Sequence, residues 1–290
     1  MSAQQFSPNA SAEASRQPLA AAGRMRPLRE LPAAVLASLH GVLTDIDDTL
    51  TRDGAIEPAA LDALRALEAA GVPVIAITGR PAGWSEPFAL AWPVRAIVAE
   101  NGGVMLRREG HGAAPRARCS FTVDDRTRAE QFCRLQACAA AVLAEVPGTT
   151  LAQDSPGRLT DIAVDHSEFC TLDAGRIAQV VAVMRRHGLT ATVSSIHVNG
   201  WIGDHNKWTA ALWAVETVVG QAFDPARWLY VGDSTNDQLM FERLPFTVGV
   251  ANIARFVPQL VCWPAWVTAA ERGAGFAELA AALLAARAGR

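Results

Sequence analysis

Three carboxylates lie within four residues in the stretch GVLTDIDDTL (residues 41–50), directly after a short apolar run. Strand side chains alternate, so Asp45 and Asp47 would point the same way if the strand continued through them. Two like charges 4 Å apart repel by roughly 4 kcal/mol at an effective dielectric near 20. A fold therefore gathers such charges only where a cation or a reaction needs them. The alternative is an ordinary polar turn, since Asp and Thr are common turn residues.

Composition and charge narrow the class of protein. The chain has 290 residues, of which 50% are hydrophobic and 19% charged, which is typical of a globular protein with one large or two smaller domains. A net charge of −3 argues against nucleic acid or an anionic membrane as partner. No apolar run approaches the roughly 18 to 20 residues that span a bilayer. Five scattered cysteines without a CxxC pair predict neither a disulfide framework nor a zinc site, which favours the cytoplasm.

Polar and glycine residues follow three predicted strands in turn. After the first strand, residues 57–71 read as a helix that begins near Pro58 and ends at Gly71. A buried strand over 72–77 follows, so a βαβ unit and a parallel sheet are predicted. That strand ends in Thr78-Gly79-Arg80, and the next, over 95–100, ends in Asn101-Gly102-Gly103. Because ligands of open α/β sheets bind at the carboxyl ends of the strands, these segments indicate a binding edge.

The α/β pattern is interrupted once. Residues 1–32 lack periodicity and are predicted to be a disordered tail. Residues 33–109 and 200–290 are predicted to form one α/β domain. Residues 110–199 contain helical and strand patterns in an α+β order and are predicted to form a separate, inserted domain.

The second half of the chain supplies further chemistry. The strand over 227–231 ends in Gly232-Asp233, and Asp237 lies where a helix dipole favours negative charge. Lys207 lies near the start of the preceding helix and could bring an ammonium group to the same edge. Taken alone, Asp237 is also consistent with a plain first-turn acid, and Lys207 with a solvated surface residue.

Together these segments resemble the four motifs of the haloacid dehalogenase-like (HAD) phosphohydrolases. The matching residues are Asp45-Ile46-Asp47-Asp48-Thr49, Thr78-Gly79-Arg80, Lys207, and Gly232-Asp233 through Asp237, in that order. The resemblance covers about residues 40 to 275 and implies a Rossmann-like α/β core with a parallel sheet. The position of the inserted α+β domain, between the second and third motifs, resembles the cap of the Cof-type sugar-phosphatase branch. The Asn101-Gly102 turn resembles that branch too.

The resemblance implies a role for each motif residue. Asp45 would attack phosphorus and form an aspartyl-phosphate, and Asp47 would protonate the leaving oxygen and then activate water. Two carboxylates are needed because one group cannot be nucleophile and acid in the same step. Thr78, Gly79 and Lys207 would hold the phosphoryl oxygens.

The resemblance also implies a metal site. Mg²⁺ would be held by Asp45, the backbone carbonyl of Asp47, and Asp233. Asp237 is assigned to the same site, farther from the ion than these three ligands. Oxygen ligands without nearby Cys or His favour a hard cation over zinc.

Specificity is expected to come from the cap and the rim of the site, where the candidates are Arg80, Trp84, Asn101, Arg158, His197, Asn199 and Trp201. The sequence therefore predicts a Mg²⁺-dependent phosphatase, monomeric or homodimeric, that acts on a small phosphorylated metabolite such as a sugar phosphate. Two alternatives remain open: a phosphotransferase or phosphomutase of the same superfamily, and a non-catalytic phosphosugar sensor or receiver-like signalling domain.

Overall fold

The computed structural model of the chain describes residues 25–110 and 115–289. Its strands are β1 (Arg26–Pro27), β2 (Gly41–Thr44), β3 (Thr51–Arg52), β4 (Ala55–Ile56), β5 (Val74–Ile77), β6 (Ala96–Ala99), β7 (Val104–Glu109), β8 (Arg116–Phe121), β9 (Asp161–Asp165), β10 (Thr190–Val193), β11 (His197–Trp201), β12 (Trp228–Gly232), β13 (Thr247–Gly249) and β14 (Trp266–Val267). Its α-helices are α1 (Ala33–Ser38), α2 (Pro58–Ala69), α3 (Ala82–Ala91), α4 (Asp125–Glu145), α5 (Ala174–Arg186), α6 (Lys207–Val219), α7 (Gln238–Arg243) and α8 (Arg272–Ala288).

A large sheet forms the centre of the molecule, in the order β1-β14-β13-β12-β2-β5-β6-β7-β8. The first seven strands in this order, which end with β6, pair in parallel. Strands β7 and β8 add an antiparallel edge. Alternate residues of β2 face opposite layers: Val42 packs in the cluster that contains Leu64 and Phe276, and Leu43 in the cluster that contains Ala210. Both faces of the sheet are thus covered, as parallel sheets require. The predicted α/β fold class is confirmed.

A second structural unit interrupts this sheet between β8 and α6. Residues 122–202, called the inserted module below, contain an antiparallel sheet in the order β10-β11-β9, and α4 and α5 pack on it. The predicted boundaries of 110 and 199 differ from these. Strand β8 pairs with β7 over six residue pairs, so residues 116–121 belong to the main sheet. Strand β11 continues to Trp201, because Trp201 still pairs with Asp161 of β9.

The predicted disordered tail also needs correction. Strand β1 pairs in parallel with β14, and Leu28 and Leu31 are buried in the core of the main sheet. The edge of β14 offers hydrogen-bond partners that the sequence pattern does not reveal, so residues 25–32 are structured. The rest of the predicted tail, residues 1–24, lies outside the described residues.

No helix within residues 25–110 and 115–289 has the length and hydropathy of a bilayer-spanning segment.

The order of the strands brings the predicted motifs together. Strands β5, β2 and β12 are neighbours, and they end just before Thr78, Asp45 and Asp233 respectively. Because the three strands run parallel, their carboxyl ends meet at one edge of the sheet. The functional side chains therefore come from distant parts of the sequence.

Candidate active site

Asp45 lies at the carboxyl end of β2 and is 3% exposed. The strand ends at Thr44, but the Asp45 amide still donates to the carbonyl of Val231 in β12, at 2.9 Å. The chain then turns sharply, since the carbonyl of Ile46 accepts hydrogen bonds from the amides of Thr49, Leu50 and Thr51. The turn includes Asp48, whose φ of 56° lies in the left-handed region that Asp tolerates better than most residues.

Lys207 is placed by the start of α6. Asn206 caps this helix, because its side chain accepts hydrogen bonds from the amides of Trp208 and Thr209, both at 3.0 Å. Lys207 is the first helical residue, and its buried ammonium donates to Asp45 Oδ1 and Asp237 Oδ1, at 2.6 Å each. The open alternative of a solvated surface lysine does not hold.

Asp237 folds back onto the end of β12. Its Oδ2 accepts from the amides of Asp233 and Ser234, at 2.9 and 3.1 Å, and its Oδ1 accepts from Lys207 and from the hydroxyl of Tyr230. Gly232 makes this approach possible: a Cβ there would lie 2.4 Å from Asp237 Oδ2. Both oxygens of Asp237 thus already accept two protein hydrogen bonds each, so the residue is suited to orient its neighbours rather than to bind a metal directly.

The carboxylates are more numerous than the cations at this edge. Asp45, Asp233 and Asp237 each present an oxygen within 4.8 Å of the others, and Lys207 is the ammonium group between two of them. Burial raises the pKa of Asp45 to about 7, which the neighbouring Asp237 and Asp47 reinforce and Lys207 opposes. Burial, with the nearby charge of Asp45, also raises the pKa of Asp233 well above its usual range. Even with Arg255, whose Nη2 lies 3.5 Å from Asp233 Oδ2, the three carboxylates of this cluster outnumber the two cations that contact them.

The donor set fits a hard divalent cation. Asp233 Oδ1 is buried and has no hydrogen-bond partner, while its Oδ2 accepts from the Asn252 amide at 3.2 Å. A buried carboxylate oxygen without a partner is costly unless it binds an ion or another ligand. All nearby ligand atoms are oxygens, as Mg²⁺ prefers.

A cavity between the strand ends and the inserted module opens directly onto Asp45. Asp47 and Gly79 line it from the main sheet, and residues 194–197 and Asn199 line it from the inserted module, with Ser234 and Asn236 at the side. The lining is polar except for Ile196. The two predicted catalytic carboxylates therefore line the same cavity.

Comparison with known proteins agrees with this geometry. Residues 42–122 match the model of the haloacid dehalogenase-like hydrolases, a segment that runs from β2 to the end of β8 and includes Asp45, Asp47 and Thr78. This part of the chain is similar to the haloacid dehalogenase-like hydrolases. No curated protein matches the chain in sequence.

Solved structures share this fold over most of the chain. A HAD/Cof-like hydrolase of Plasmodium vivax is 16% identical, with 87% of this chain and 98% of that chain covered and a TM-score of 0.61. The sucrose-phosphatase of Synechocystis is 15% identical, with 84% and 98% covered and a TM-score of 0.60. The C-terminal domain of a Candida albicans trehalose-6-phosphate phosphatase is 14% identical, with 92% and 99% covered and a TM-score of 0.60.

Two further predicted residues of the site lie in the loop after β5. Thr78 is fully buried, and its hydroxyl oxygen accepts from the Arg80 amide at 3.0 Å. Arg80 does not extend freely into the cavity. Its Nε donates to both oxygens of Asp47, at 2.9 and 3.1 Å, so the second carboxylate of the first motif is held by an ion pair.

Two specificity candidates anchor the inserted module instead of reaching freely into the cavity. Arg158 donates to the carbonyl of Gly79 at 2.9 Å and to both oxygens of Asp161 at 2.8 and 2.9 Å. Asn199 donates to the same carbonyl at 3.2 Å, although it also lines the cavity. The backbone of the predicted phosphate-binding loop is thus bound by the inserted module.

The other specificity candidates divide between the cavity and the packed interior. His197 lines the cavity. Asn101 adopts a φ of 54° beside Gly79. Trp84 packs against Phe88, with 4.5 Å between the ring centroids. Trp201 is buried and donates to the carbonyl of His205 at 2.9 Å, so it packs rather than stacks on a ligand.

Sequence reasoning missed one important contact between the two units. Glu100 is buried at the end of β6, and its carboxylate accepts from the amide of Ala82, at 2.9 Å, and from the amides of Leu159 and Thr160 in the inserted module. The signal in the sequence was only that an acid ended an apolar strand. Glu168 and Asn252 were missed as well, because each lies in a segment without a motif.

Proposed function

We propose that the chain is a Mg²⁺-dependent phosphatase that hydrolyses a small phosphorylated metabolite through an aspartyl-phosphate on Asp45. The observation that carries the proposal is the arrangement of Asp45. This buried carboxylate contacts Lys207 and opens, together with Asp47, onto one polar cavity. An isolated acidic cluster could serve a sensor equally well, but a sensor has no need of the second carboxylate. The match to the HAD-like hydrolases supports the same conclusion.

Hydrolysis would proceed in two steps. An oxygen of Asp45 attacks phosphorus in line, the bond from phosphorus to the leaving oxygen breaks, and the carboxyl group of Asp47 gives its proton to that oxygen. Water then attacks phosphorus, Asp47 takes a proton from the water, and the bond from phosphorus to Asp45 breaks. Inorganic phosphate and the restored carboxylate result. Because Asp47 lies in the cavity and is able to activate water, hydrolysis is favoured over transfer to a second hydroxyl.

The transferred group carries negative charge that the site must balance. Two carboxylates hold Lys207 in a position from which its ammonium group stabilises that charge. The loop at Thr78 and Gly79 supplies neutral hydrogen-bond donors. Mg²⁺ would be held by Asp45, Asp233 and the carbonyl of Asp47, and would act there as a Lewis acid towards the phosphoryl oxygens. Asp237 orients Lys207 and the start of the Asp233 loop.

The cavity suits a leaving group rich in hydroxyls. Its lining includes Ser194, Ser195, Asn199 and Asn236, which offer hydroxyl and amide groups, and the inserted module acts as a cap over the phosphoryl site. Polar groups of this kind pair with sugar hydroxyls. The similar fold of the sucrose-phosphatase and of the trehalose-6-phosphate phosphatase supports a sugar phosphate as the substrate class.

Removal of the metal tests the proposal. Release of phosphate from p-nitrophenyl phosphate is expected to require Mg²⁺ and to fall at least about 100-fold after treatment with EDTA, since metal stabilisation of the transition state is worth several kcal/mol. Excess Mg²⁺ should restore the rate, and Mg²⁺ should raise the Tm of the protein because it binds the folded state alone. The control is EDTA added together with a molar excess of Mg²⁺. An unchanged rate after complete chelation would contradict the proposal.

A further inference from the structure

Arg80 is shared between the predicted acid of the site and two carboxylates of the inserted module. It is 4% exposed. Its Nε donates to Asp47, while its two terminal nitrogens donate to carboxylates of the inserted module. Nη2 donates to Glu168 Oε1 at 2.7 Å, and Nη1 donates to Glu168 Oε2 at 3.3 Å and to Asp154 Oδ2 at 3.2 Å. One guanidinium therefore joins Asp47 to Glu168.

Hydrogen bonds within the loop that carries Glu168 fix the position of this residue. Asp165, at the end of β9, accepts hydrogen bonds from the amides of the next loop residues: Ser167 at 3.1 Å, Glu168 at 2.9 Å and Phe169 at 2.9 Å. The ring of His197 lies 2.9 Å from Glu168 Oε2. Burial would raise the pKa of Glu168, but His197 and Arg80 outweigh it and hold that pKa at about 2. Glu168 is thus a fixed anion.

The shape of the guanidinium group makes this contact consequential. Its five N–H donors lie in one plane, so binding the outer edge of the fork sets the direction in which Nε–H points. Glu168 binds both terminal nitrogens and fixes that plane. Asp154 binds one of them and is itself shared with Arg158. Without Glu168, the plane of Arg80 would be set by Asp47, by one longer hydrogen bond to Asp154 and by the ring of Trp84, whose centroid lies 5.0 Å from the guanidinium carbon.

We infer that Glu168 is a positioning residue, which acts through Arg80 to fix the carboxyl group of Asp47 in the cavity. The inference rests on the proposed function, because Asp47 must donate a proton to the leaving oxygen for its orientation to matter. Glu168 itself does not line the cavity. The inserted module thus contributes to the chemical step as well as covering the site.

Docking of the inserted module does not depend on Glu168 alone. Glu100 holds the amides of Leu159 and Thr160, and Thr235 donates its hydroxyl to the carbonyl of Val193 at 2.6 Å. Arg158 and Asn199 both bind the carbonyl of Gly79. A change at Glu168 is therefore expected to leave the module in place and to disturb Arg80 selectively.

The test compares two substrates of nearly the same shape that differ in their need for an acid. Phenyl phosphate has a poor leaving group that must be protonated, and p-nitrophenyl phosphate has a good one that leaves as an anion. For Glu168→Gln we expect kcat/KM to fall about tenfold with phenyl phosphate and less than about threefold with p-nitrophenyl phosphate. The loss with phenyl phosphate is smaller than the roughly 10²- to 10⁴-fold that general acid catalysis supplies, because Asp47 itself is still present. Glu168→Asp keeps the charge but shortens the side chain, and the same selective loss is expected.

Matched controls separate a positioning role from a structural one. Glu130→Gln makes the same chemical change at an exposed carboxylate of α4 that pairs with Arg126, and should alter neither kcat/KM value. In an Asp47→Asn background, Glu168→Gln should cause no further loss with either substrate, because both residues act on the same proton transfer. The Tm of each variant verifies folding.

The outcomes are distinguishable. Equal losses on the two substrates, wild-type values for both Glu168 variants, or additive losses in the double variant would overturn the positioning role and leave the phosphatase proposal intact. Failure of the wild-type protein with Mg²⁺ to hydrolyse either phosphate ester would overturn the proposed function, and this inference with it.

Discussion

Replacement of Asp45 by Asn is expected to reduce phosphate release from p-nitrophenyl phosphate by at least about 10⁴-fold, as loss of a nucleophile does in enzymes with covalent intermediates. An amide cannot attack phosphorus to form the acyl phosphate, and no other carboxylate of the cluster is placed to take over. Asp237 is saturated by four hydrogen bonds, and Asp47 is held by Arg80. Kinetics with excess Mg²⁺ measure the loss.

The same variant should fold at least as well as the wild type. Burial raises the pKa of Asp45 to about 7, above its ordinary value of 3.8. Ionisation of this side chain therefore lowers the free energy of unfolding as the pH rises between these two values. A neutral amide removes this cost, and the Tm of the metal-free variant at about pH 8 should equal or exceed that of the wild type.

Asp48→Asn is the matched control, since it makes the same change three residues along the same turn. Asp48 does not line the cavity; its two oxygens pair with Arg255 and Arg272 at 2.9 and 2.8 Å. Loss of this carboxylate should lower the free energy of unfolding by about 1 kcal/mol and leave kcat within about threefold of the wild-type value. If Asp45→Asn were fully active, or if the two variants lost activity equally, the assignment of the nucleophile would be wrong.

Replacement of Lys207 by Met is expected to lower both stability and activity. It removes the ammonium group that lies 2.6 Å from two buried carboxylates and leaves three acids close together without it. Removal of one partner of a buried ion pair lowers the free energy of unfolding by about 3–5 kcal/mol. Denaturant unfolding of the metal-free protein would measure this loss. The rate should fall roughly 10²- to 10³-fold, because Lys207 would no longer balance charge in the transition state.

Two further measurements sharpen the Lys207 prediction. Mg²⁺ should restore part of the lost stability, since it also binds the carboxylates, but it should not restore the rate. Lys207→Arg keeps the charge in a larger, planar group, so it should be more stable than Lys207→Met in the metal-free state while remaining impaired in activity. A Met variant as stable as the wild type would contradict the account of this ion pair.

The centre of the site could be predicted because it depends on a few strand ends. Asp45, Thr78 and Asp233 each follow an apolar strand, and parallel strands bring such residues to one edge whatever the details of packing. Lys207 was predictable only together with them, since a single lysine near a helix start carries little information. The α/β fold is confirmed, and it follows from the repeating pattern of strand, polar end and helix; the family match over residues 42–122 agrees with the predicted resemblance.

The surroundings of the site could not be predicted because they depend on how two units dock. Arg158 was expected near the substrate, but it binds Gly79 and Asp161, and no local pattern identifies those partners. Glu168 lies in a loop of the inserted module, and its pairing with Arg80 joins residues 88 positions apart. Contacts of this kind are set by the whole fold, and they leave no periodic signal in the sequence.

Strand β8 and the segment near Leu28 were missed for a related reason. The sequence RARCSF alternates polar residues with Ala117, Cys119 and Phe121, and Ala117 and Phe121 pack against the core. The run is short and carries two arginines, so its place in the sheet depends on the free edge that β7 offers. The two-residue β1 likewise exists because β14 supplies a partner. Edge strands depend more on available backbone hydrogen bonds than on their own side chains.

The most direct test of the central claim is to trap the phosphoryl group on the protein. Asp47→Asn should still form the aspartyl-phosphate from p-nitrophenyl phosphate but hydrolyse it slowly, because Asp47 activates the water. After acid quench and proteolysis, mass spectrometry should find one added phosphoryl group on the peptide that contains Asp45, and none in Asp45→Asn. Rapid turnover of the ester without a phosphoryl group on Asp45, or a phosphoryl group on another residue, would contradict the account.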